Sequence, residues 1–235
     1  MEFKRLLEFC NNLPPSTSLD DIQNRLPEGL KQAPQAFEPY EKSLQRLDPD
    51  NWEFIKQKLQ SRLKKHPVRG WAQFFDTLSE VMGFCFLLDE GYEDVKFIPE
   101  TTVRTPDIEG SKSQKVAVLL ESKTIGFSDD ERNYILENSR RMFSGSELIL
   151  QEVATGMSEA LKNKITNTIT SAKDQLLNYL QTDKSIRRIV YLTIQLDTNL
   201  ILDPMNLAEV INFLKRLTKS ETEVEIVINS EVSTV

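Results

Sequence analysis

Cysteine and histidine are scarce in this chain of 235 residues. The two cysteines, Cys10 and Cys85, are far apart and lack the paired spacing of a zinc site. We expect two reduced, mostly buried thiols, which suits a cytoplasmic protein. The single histidine, His66, lies in the sequence KKHP at the end of a predicted helix, where we expect it to be exposed. A mechanism that needs two histidines is therefore excluded.

Long hydrophobic runs are absent as well. No apolar run approaches the roughly 20 residues that a membrane-spanning helix needs. The start, MEFKRLLEFCNNLPPS, mixes charges into its apolar residues, so we do not expect a signal peptide. Hydrophobic residues make up 39% of the chain and charged residues 28%, a composition typical of soluble globular proteins. These features predict a cytoplasmic protein with no membrane partner.

Positive charge is in the minority, with 29 Lys and Arg residues against 36 Asp and Glu residues and a net charge of −7. Proteins that coat nucleic acid need Lys and Arg to neutralise phosphates, so this balance counts against that class. A local cleft that binds nucleic acid stays possible, because a bound divalent metal would add positive charge that the composition does not count.

The first 66 residues are predicted to form a helical appendage. Turn signals such as LPPSTS, LPEG and LDPD divide the first 50 residues into short helical pieces. Asp48 or Asp50 then caps a longer predicted helix, NWEFIKQKLQSRLKK, and HPVRG ends it. Its apolar residues recur at helical spacing: Trp52, Ile55, Leu59 and Leu63.

Residues 67–235 are predicted to form an α/β domain. A strongly apolar helix from Trp71 ends at Gly91, and three short strands follow, the third of them QKVAVLLESKTI. DDERNYILENSRRMF is a helix or a mobile excursion, and a long helical stretch covers roughly 146–182. Then come a buried strand, RRIVYLTIQLD, a helix capped by Asp203 and a last strand, EVEIVIN. This order predicts a mixed central sheet with helices on both faces.

The third predicted strand ends in two opposite charges. Side chains on a strand alternate, so Glu121 and Lys123 share a face, with Ala117 and Leu119 deeper on it. A hairpin around GSKSQ would bring Asp107, in TPDIEG, beside Glu121. Two close carboxylates raise each other's pKa unless a cation separates them, and Mg²⁺ prefers such oxygen ligands. Lys123 could orient or help to deprotonate a water there, as in metal-assisted phosphodiester hydrolysis.

A simpler interpretation of these residues stays open. Glu121 and Lys123 could form a weak ion pair at a solvated strand end, and Asp107 could be a turn residue after proline.

The combination of "PD", a short interval and "ExK" at the end of a buried strand resembles the PD-(D/E)XK nuclease superfamily. The matching residues are Pro106, Asp107, Glu121 and Lys123. The resemblance covers roughly residues 71–197 and implies a restriction-endonuclease-like fold. It also implies an acidic residue on the preceding helix, and Glu80 occupies that place, with Asp76 one turn away as the alternative.

The resemblance implies a Mg²⁺-dependent nuclease, with Mn²⁺ as a substitute. Asp107 and Glu121 would hold the metal with the carbonyl of Ser122, and Lys123 would position the attacking water. Glu80 would bind a second metal ion or a water. The expected substrate is DNA rather than RNA, cut as an endonuclease, by a homodimer or a subunit of a larger complex. The alternative is a catalytically inactive interaction or nucleic-acid-binding module on the same fold, in a defence or repair complex.

Candidate nucleic-acid contacts lie after the motif. The resemblance implies a later helix whose Lys or Gln approaches the cleft, and SAKDQLLNY supplies Lys173 and Gln175. Lys164 flanks the apolar stripe of the same helix, and Arg140 and Arg141 follow the motif closely enough to reach phosphate. The simpler interpretation is that these are ordinary solvated positions.

Overall fold

The computed structural model describes residues 2–13, 20–65, 70–102, 104–126, 157–179, 185–194, 204–218 and 223–229. Its helices are α1 (Lys4–Asn11), α2 (Asp20–Gln32), α3 (Pro34–Gln45), α4 (Pro49–Lys65), α5 (Gly70–Asp89), α6 (Glu159–Asn178) and α7 (Pro204–Thr218). Its strands are β1 (Glu93–Phe97), β2 (Ile108–Lys112), β3 (Lys115–Ile125), β4 (Arg187–Ile194) and β5 (Glu225–Asn229).

The strands form one mixed sheet in the order β1-β2-β3-β4-β5. β1, β2 and β3 pair antiparallel, whereas β4 runs parallel to both β3 and β5. Helix α5 packs on one face of the sheet, and α6 and α7 pack on the other. The predicted α/β class, with a mixed central sheet covered on both faces, is therefore confirmed.

The N-terminal helices are joined to this sheet through α5. Buried residues of α1 to α4, among them Phe9, Tyr40 and Ile55, belong to the same hydrophobic cluster as α5 and the sheet residues Val118 and Leu120. Of the two proposed caps for α4, Asp48 is the one that acts, because its Oδ1 accepts a hydrogen bond from the Asn51 N–H at 2.8 Å.

Two glycines have separate roles in helix α5: Gly83 faces the sheet, and Gly91 ends the helix. At Gly83, a Cβ atom would lie 3.0 Å from the Leu120 side chain, so a larger residue would push the helix away from β3. Gly91 follows the helix with a φ of 76°, and the Tyr92 N–H donates to the Leu87 carbonyl at 3.1 Å. This is the glycine C-terminal cap that the sequence predicts.

The hairpin expected around GSKSQ joins β2 and β3 through a turn at Ser113 and Gln114, both with positive φ. A bulge interrupts the pairing, because Gly110 is opposite Val118 while Ser111 is opposite Val116. The extra residue shifts the alternation. The expectation that Ala117 shares a face with Leu119 is therefore wrong: Ala117 packs in the cluster of α5, and Leu119 in that of α6.

Both cysteine side chains are buried and free, as expected. None of the helices among the described residues has the length and apolar character needed to cross a membrane. The predicted element at residues 129–143, the proposed cap Asp203 and the position of His66 lie outside the described residues.

Candidate functional site

Asp107 is fixed between two strands just before β2 begins. Its N–H donates to the Leu120 carbonyl at 3.1 Å, and its carbonyl accepts from the Ile98 N–H at 2.9 Å. Its side chain turns towards β3, where Oδ2 accepts a hydrogen bond from the Ser122 N–H at 2.9 Å. The hairpin therefore places the Asp107 carboxylate beside the chain segment that carries Glu121.

Glu121 is buried, with 1% of its surface exposed. Its Oε1 pairs with the Lys123 ammonium, and its Oε2 accepts a hydrogen bond from Gln175 Nε2 at 2.8 Å. The same Gln175 nitrogen lies 2.5 Å from the Thr105 carbonyl, so α6 is tied both to Glu121 and to the loop before Asp107. The alternative of a solvated strand end is wrong for Glu121, because its side chain is buried and is contacted by Gln175 from α6.

Ser122 contributes its backbone and not its side chain. Its N–H binds Asp107, and in an extended strand the carbonyl of a residue lies on the same side as its N–H. The Ser122 carbonyl is therefore directed to the Asp107 side of β3. The Ser122 hydroxyl is buried without a hydrogen-bond partner among the described residues, on the opposite face of the strand from Glu121.

Glu80, on α5, is buried and is held by two cations from α4. Lys58 Nζ lies 2.6 Å from Glu80 Oε2, and Arg62 Nη1 lies 2.8 Å from Glu80 Oε1. Both cations also contact Glu100, which follows β1. Arg62 Nη2 lies 2.5 Å from Glu100 Oε1, and Lys58 Nζ lies 3.4 Å from the same oxygen. Arg62 Nη1 further donates to the Thr77 hydroxyl at 3.2 Å.

Lys58 and Arg62 are the site residues that sequence reasoning missed. They lie one turn apart on α4, and this spacing is the only signal that the sequence offers. A helix in a protein with 28% charged residues contains many such pairs by chance. Only the packing of α4 against α5 brings this pair to Glu80.

The carboxylates of the site repel one another. Burial raises the pKa of Asp107 well above its ordinary value of 3.8, and the charges of Glu80 and Glu121 raise it further. Burial also raises the pKa of Glu121, although Lys123 opposes that effect. Lys58 lowers the pKa of both Asp107 and Glu121, because its positive charge is close enough to act on both carboxyl groups.

Lys123 stays protonated at neutral pH. Burial lowers its pKa, but the charges of Glu121 and Asp107 outweigh burial, so that the pKa is raised above 10.5. The pKa of Arg62 is raised in the same way, by Glu80 and Glu100 against the effect of burial. The described site therefore places three cations, Lys58, Arg62 and Lys123, among three buried or half-buried carboxylates and the exposed carboxylate of Glu100.

The donor set fits a hard divalent cation in its chemistry. Asp107 and Glu121 offer carboxylate oxygens, and the Ser122 carbonyl is directed to the Asp107 side of β3. Burial and the repulsion among the carboxylates raise the pKa of both groups, and a bound cation would oppose that effect. As the side chains stand, no three or more His, Cys, Asp or Glu residues in the described parts of the chain are grouped so as to hold a metal. Lys123 and Gln175 instead occupy the oxygens of Glu121.

The predicted nucleic-acid contacts are only partly brought together. Lys164, on α6, donates to the Gly126 carbonyl at 3.3 Å, just beyond the end of β3. Lys173 lies half-buried on α6, two residues before Gln175. Arg140 and Arg141 lie outside the described residues. Arg104, which the sequence did not single out, is exposed in the loop before β2, with Nη1 3.5 Å from the Ser171 hydroxyl of α6.

Comparison of the chain with family models, curated proteins and solved structures finds no match.

Proposed function

We propose that this chain is a divalent-metal-dependent nuclease of the PD-(D/E)XK superfamily, with a restriction-endonuclease-like fold, that hydrolyses phosphodiester bonds of DNA. The observation that supports the proposal is the group formed by the buried Glu121 with the half-buried Asp107, Lys123 and Gln175. These residues come from the loop before β2, from β3 and from α6, and they meet beside the start of β2.

Asp107, Glu121 and the Ser122 carbonyl are the residues that would hold Mg²⁺ or Mn²⁺. The metal would act as a Lewis acid on the phosphate and increase the acidity of the attacking water. A cation between Asp107 and Glu121 would reduce the repulsion between their negative charges. Metal binding would therefore favour ionisation of the two carboxyl groups, and their ionisation would strengthen metal binding.

Lys123 would orient the attacking water and stabilise negative charge on the phosphate. Its raised pKa favours donation of a hydrogen bond over removal of a proton at neutral pH. Gln175 keeps Glu121 and the loop before Asp107 in place through its two contacts. The resemblance places Glu80 at a second metal ion or a water.

The direct test is cleavage of single-stranded, duplex and branched DNA, supercoiled plasmid and RNA, in Mg²⁺ or Mn²⁺. We expect the D107N and K123M variants each to lose at least about a hundredfold in rate, because D107N removes a carboxylate that would hold the metal and K123M removes a positive charge that would stabilise the transition state. E109Q is the matched control, since Glu109 follows Asp107 by two residues on β2 but pairs with Lys96 instead. Cleavage that survives both D107N and K123M would overturn the proposal.

One observation favours a non-catalytic nuclease-fold module as the second candidate. Both oxygens of Glu121 and both of Glu80 already have partners from the chain, so ion pairs can replace a metal entirely. Thermal melting of chelator-treated protein separates the two candidates. An intact metal site gains about 2.7 kcal/mol at a Mn²⁺ concentration a hundred times the Kd. A melting temperature that Mn²⁺ shifts equally in wild type and D107N supports the module.

A further inference from the structure

Lys58 belongs to the site although it lies outside the segment that resembles a nuclease. It comes from α4, and only 8% of its side chain is exposed. Its ammonium lies 2.6 Å from Glu80 Oε2 and 3.4 Å from Glu100 Oε1. A buried ammonium costs free energy unless it is paired, so this position is maintained by the acidic residues around it.

Glu80 has no unpartnered oxygen left. Lys58 holds Oε2, and Arg62 holds Oε1 at 2.8 Å. The carboxylate is only 4% exposed, so a metal ion could reach it only by displacing a cation from α4. The Asp107 carboxylate differs, because its hydrogen-bond donor in the described parts of the chain is the uncharged Ser122 N–H. Two cations therefore supply positive charge on the Glu80 side of the site, whereas among the described residues Lys123 supplies it beside Glu121.

We propose that Lys58 is a fixed cation of the site that takes the place of a second divalent ion, so that the chain binds one metal ion, at Asp107 and Glu121. Glu80 then holds Lys58 and Arg62 in position instead of binding metal. The N-terminal helices consequently supply part of the catalytic charge. This inference rests on the proposed nuclease function, and it names the number of metal ions and the source of the remaining charge.

The stoichiometry of Mn²⁺ on the full chain tests the inference without any need for activity. Chelator-treated wild-type protein is titrated with Mn²⁺, and the free ion is followed by electron paramagnetic resonance beside calorimetry. We expect one ion per chain. Two ions per chain would overturn this inference and leave the nuclease proposal standing, whereas no bound Mn²⁺ would overturn both.

Substitutions of Lys58 give a second, independent readout. K58M keeps the length of the side chain but removes its charge, so the divalent ion no longer faces a neighbouring cation. We expect the Kd for Mn²⁺ to fall about tenfold in K58M. K58R keeps the charge and should bind Mn²⁺ as wild type does. An unchanged or higher Kd in a folded K58M protein would overturn the inference.

K56M is the matched control. Lys56 lies on the same helix with 18% of its side chain exposed, but it pairs with Glu53 and Glu8, away from the site. We expect K56M to leave the Kd for Mn²⁺ unchanged. If the wild type cleaves DNA, K58M should cleave about a hundredfold more slowly even when Mn²⁺ is saturating, because the missing charge would stabilise the transition state. Tighter metal binding with slower cleavage is a combination that a merely structural lysine would not produce.

Discussion

At the residue scale, the site depends on how each buried carboxylate obtains its partners. Glu121 receives one hydrogen bond from an amide and one from an ammonium, while Asp107 receives its hydrogen bond from a backbone N–H. A neutral amide partner satisfies an oxygen without cancelling its charge. Burial and the repulsion among the carboxylates raise the pKa of Asp107 and Glu121 although each has a partner, and Lys123 only partly opposes this effect at Glu121.

Gln175 is the residue whose removal should loosen the site most directly. Its side-chain nitrogen lies within hydrogen-bonding distance of both Glu121 Oε2 and the Thr105 carbonyl. In Q175A the buried Glu121 oxygen loses a partner, so we expect the free energy of unfolding to fall by about 1–3 kcal/mol. Urea denaturation followed by circular dichroism measures this change.

The matched control for Q175A is Q57A. Gln57 also donates to a glutamate, Glu53, at 3.0 Å, but on the exposed side of α4. Its loss should change the free energy of unfolding by less than about 0.5 kcal/mol. Equal losses of unfolding free energy in Q175A and Q57A would contradict the prediction that Gln175 stabilises a buried carboxylate.

At the element scale, the sheet and its covering helices were predictable because each has a strong periodic signal. β3 is a nearly continuous apolar run, and Gly91 marks the end of α5. The bulge opposite Ala117 was not predictable, because it depends on how β2 and β3 pair and not on the order of apolar residues.

The contribution of α4 to the site was equally hidden. Its apolar stripe, with Trp52, Ile55 and Leu59 buried, predicts a packed helix but not its partner. Lys58 and Arg62 acquire their role only because α4 lies along α5 and meets Glu80. Glu80 itself was found through the resemblance, and the role proposed for it here follows from this contact.

At the scale of the whole molecule, the site is placed between two separately packed clusters. The cluster around α5 includes the N-terminal helices, the cluster around α6 includes α7, and β4 contributes side chains to both. Glu80 lies on α5 and Gln175 lies on α6. Lys58 and Arg62 therefore reach the site from one face of the sheet, and the Gln175 amide reaches it from the other. The stability of the whole chain should therefore respond to the charge state of the site.

The pH dependence of the free energy of unfolding should show that ionisation of Asp107 destabilises the folded protein. Because its pKa is raised in the folded protein, the folded state binds more protons than the unfolded state above the unfolded value near 3.8. Stability due to this group is therefore present at low pH and is lost as the pH rises through the folded pKa. An amide at this position does not ionise. We expect the free energy of unfolding of D107N, relative to wild type, to increase as the pH rises from about 4 to about 8 in metal-free buffer.

Asp89 provides a control of opposite sign. Its hydrogen bonds from Arg46, at 2.6 and 2.9 Å, lower its pKa, so its contribution to stability is present above the unfolded pKa and is lost as the pH falls. The D89N variant should therefore become less stable relative to wild type as the pH rises towards about 4, and the difference should then stay constant from about 4 to about 8. Urea titrations of the three proteins at each pH, followed by tryptophan fluorescence, measure both slopes. A difference between D107N and wild type that stays as constant as that of D89N from about pH 4 to about 8 would show that Asp107 is not held at an energetic cost, and would remove the electrostatic reason for a metal ion beside it.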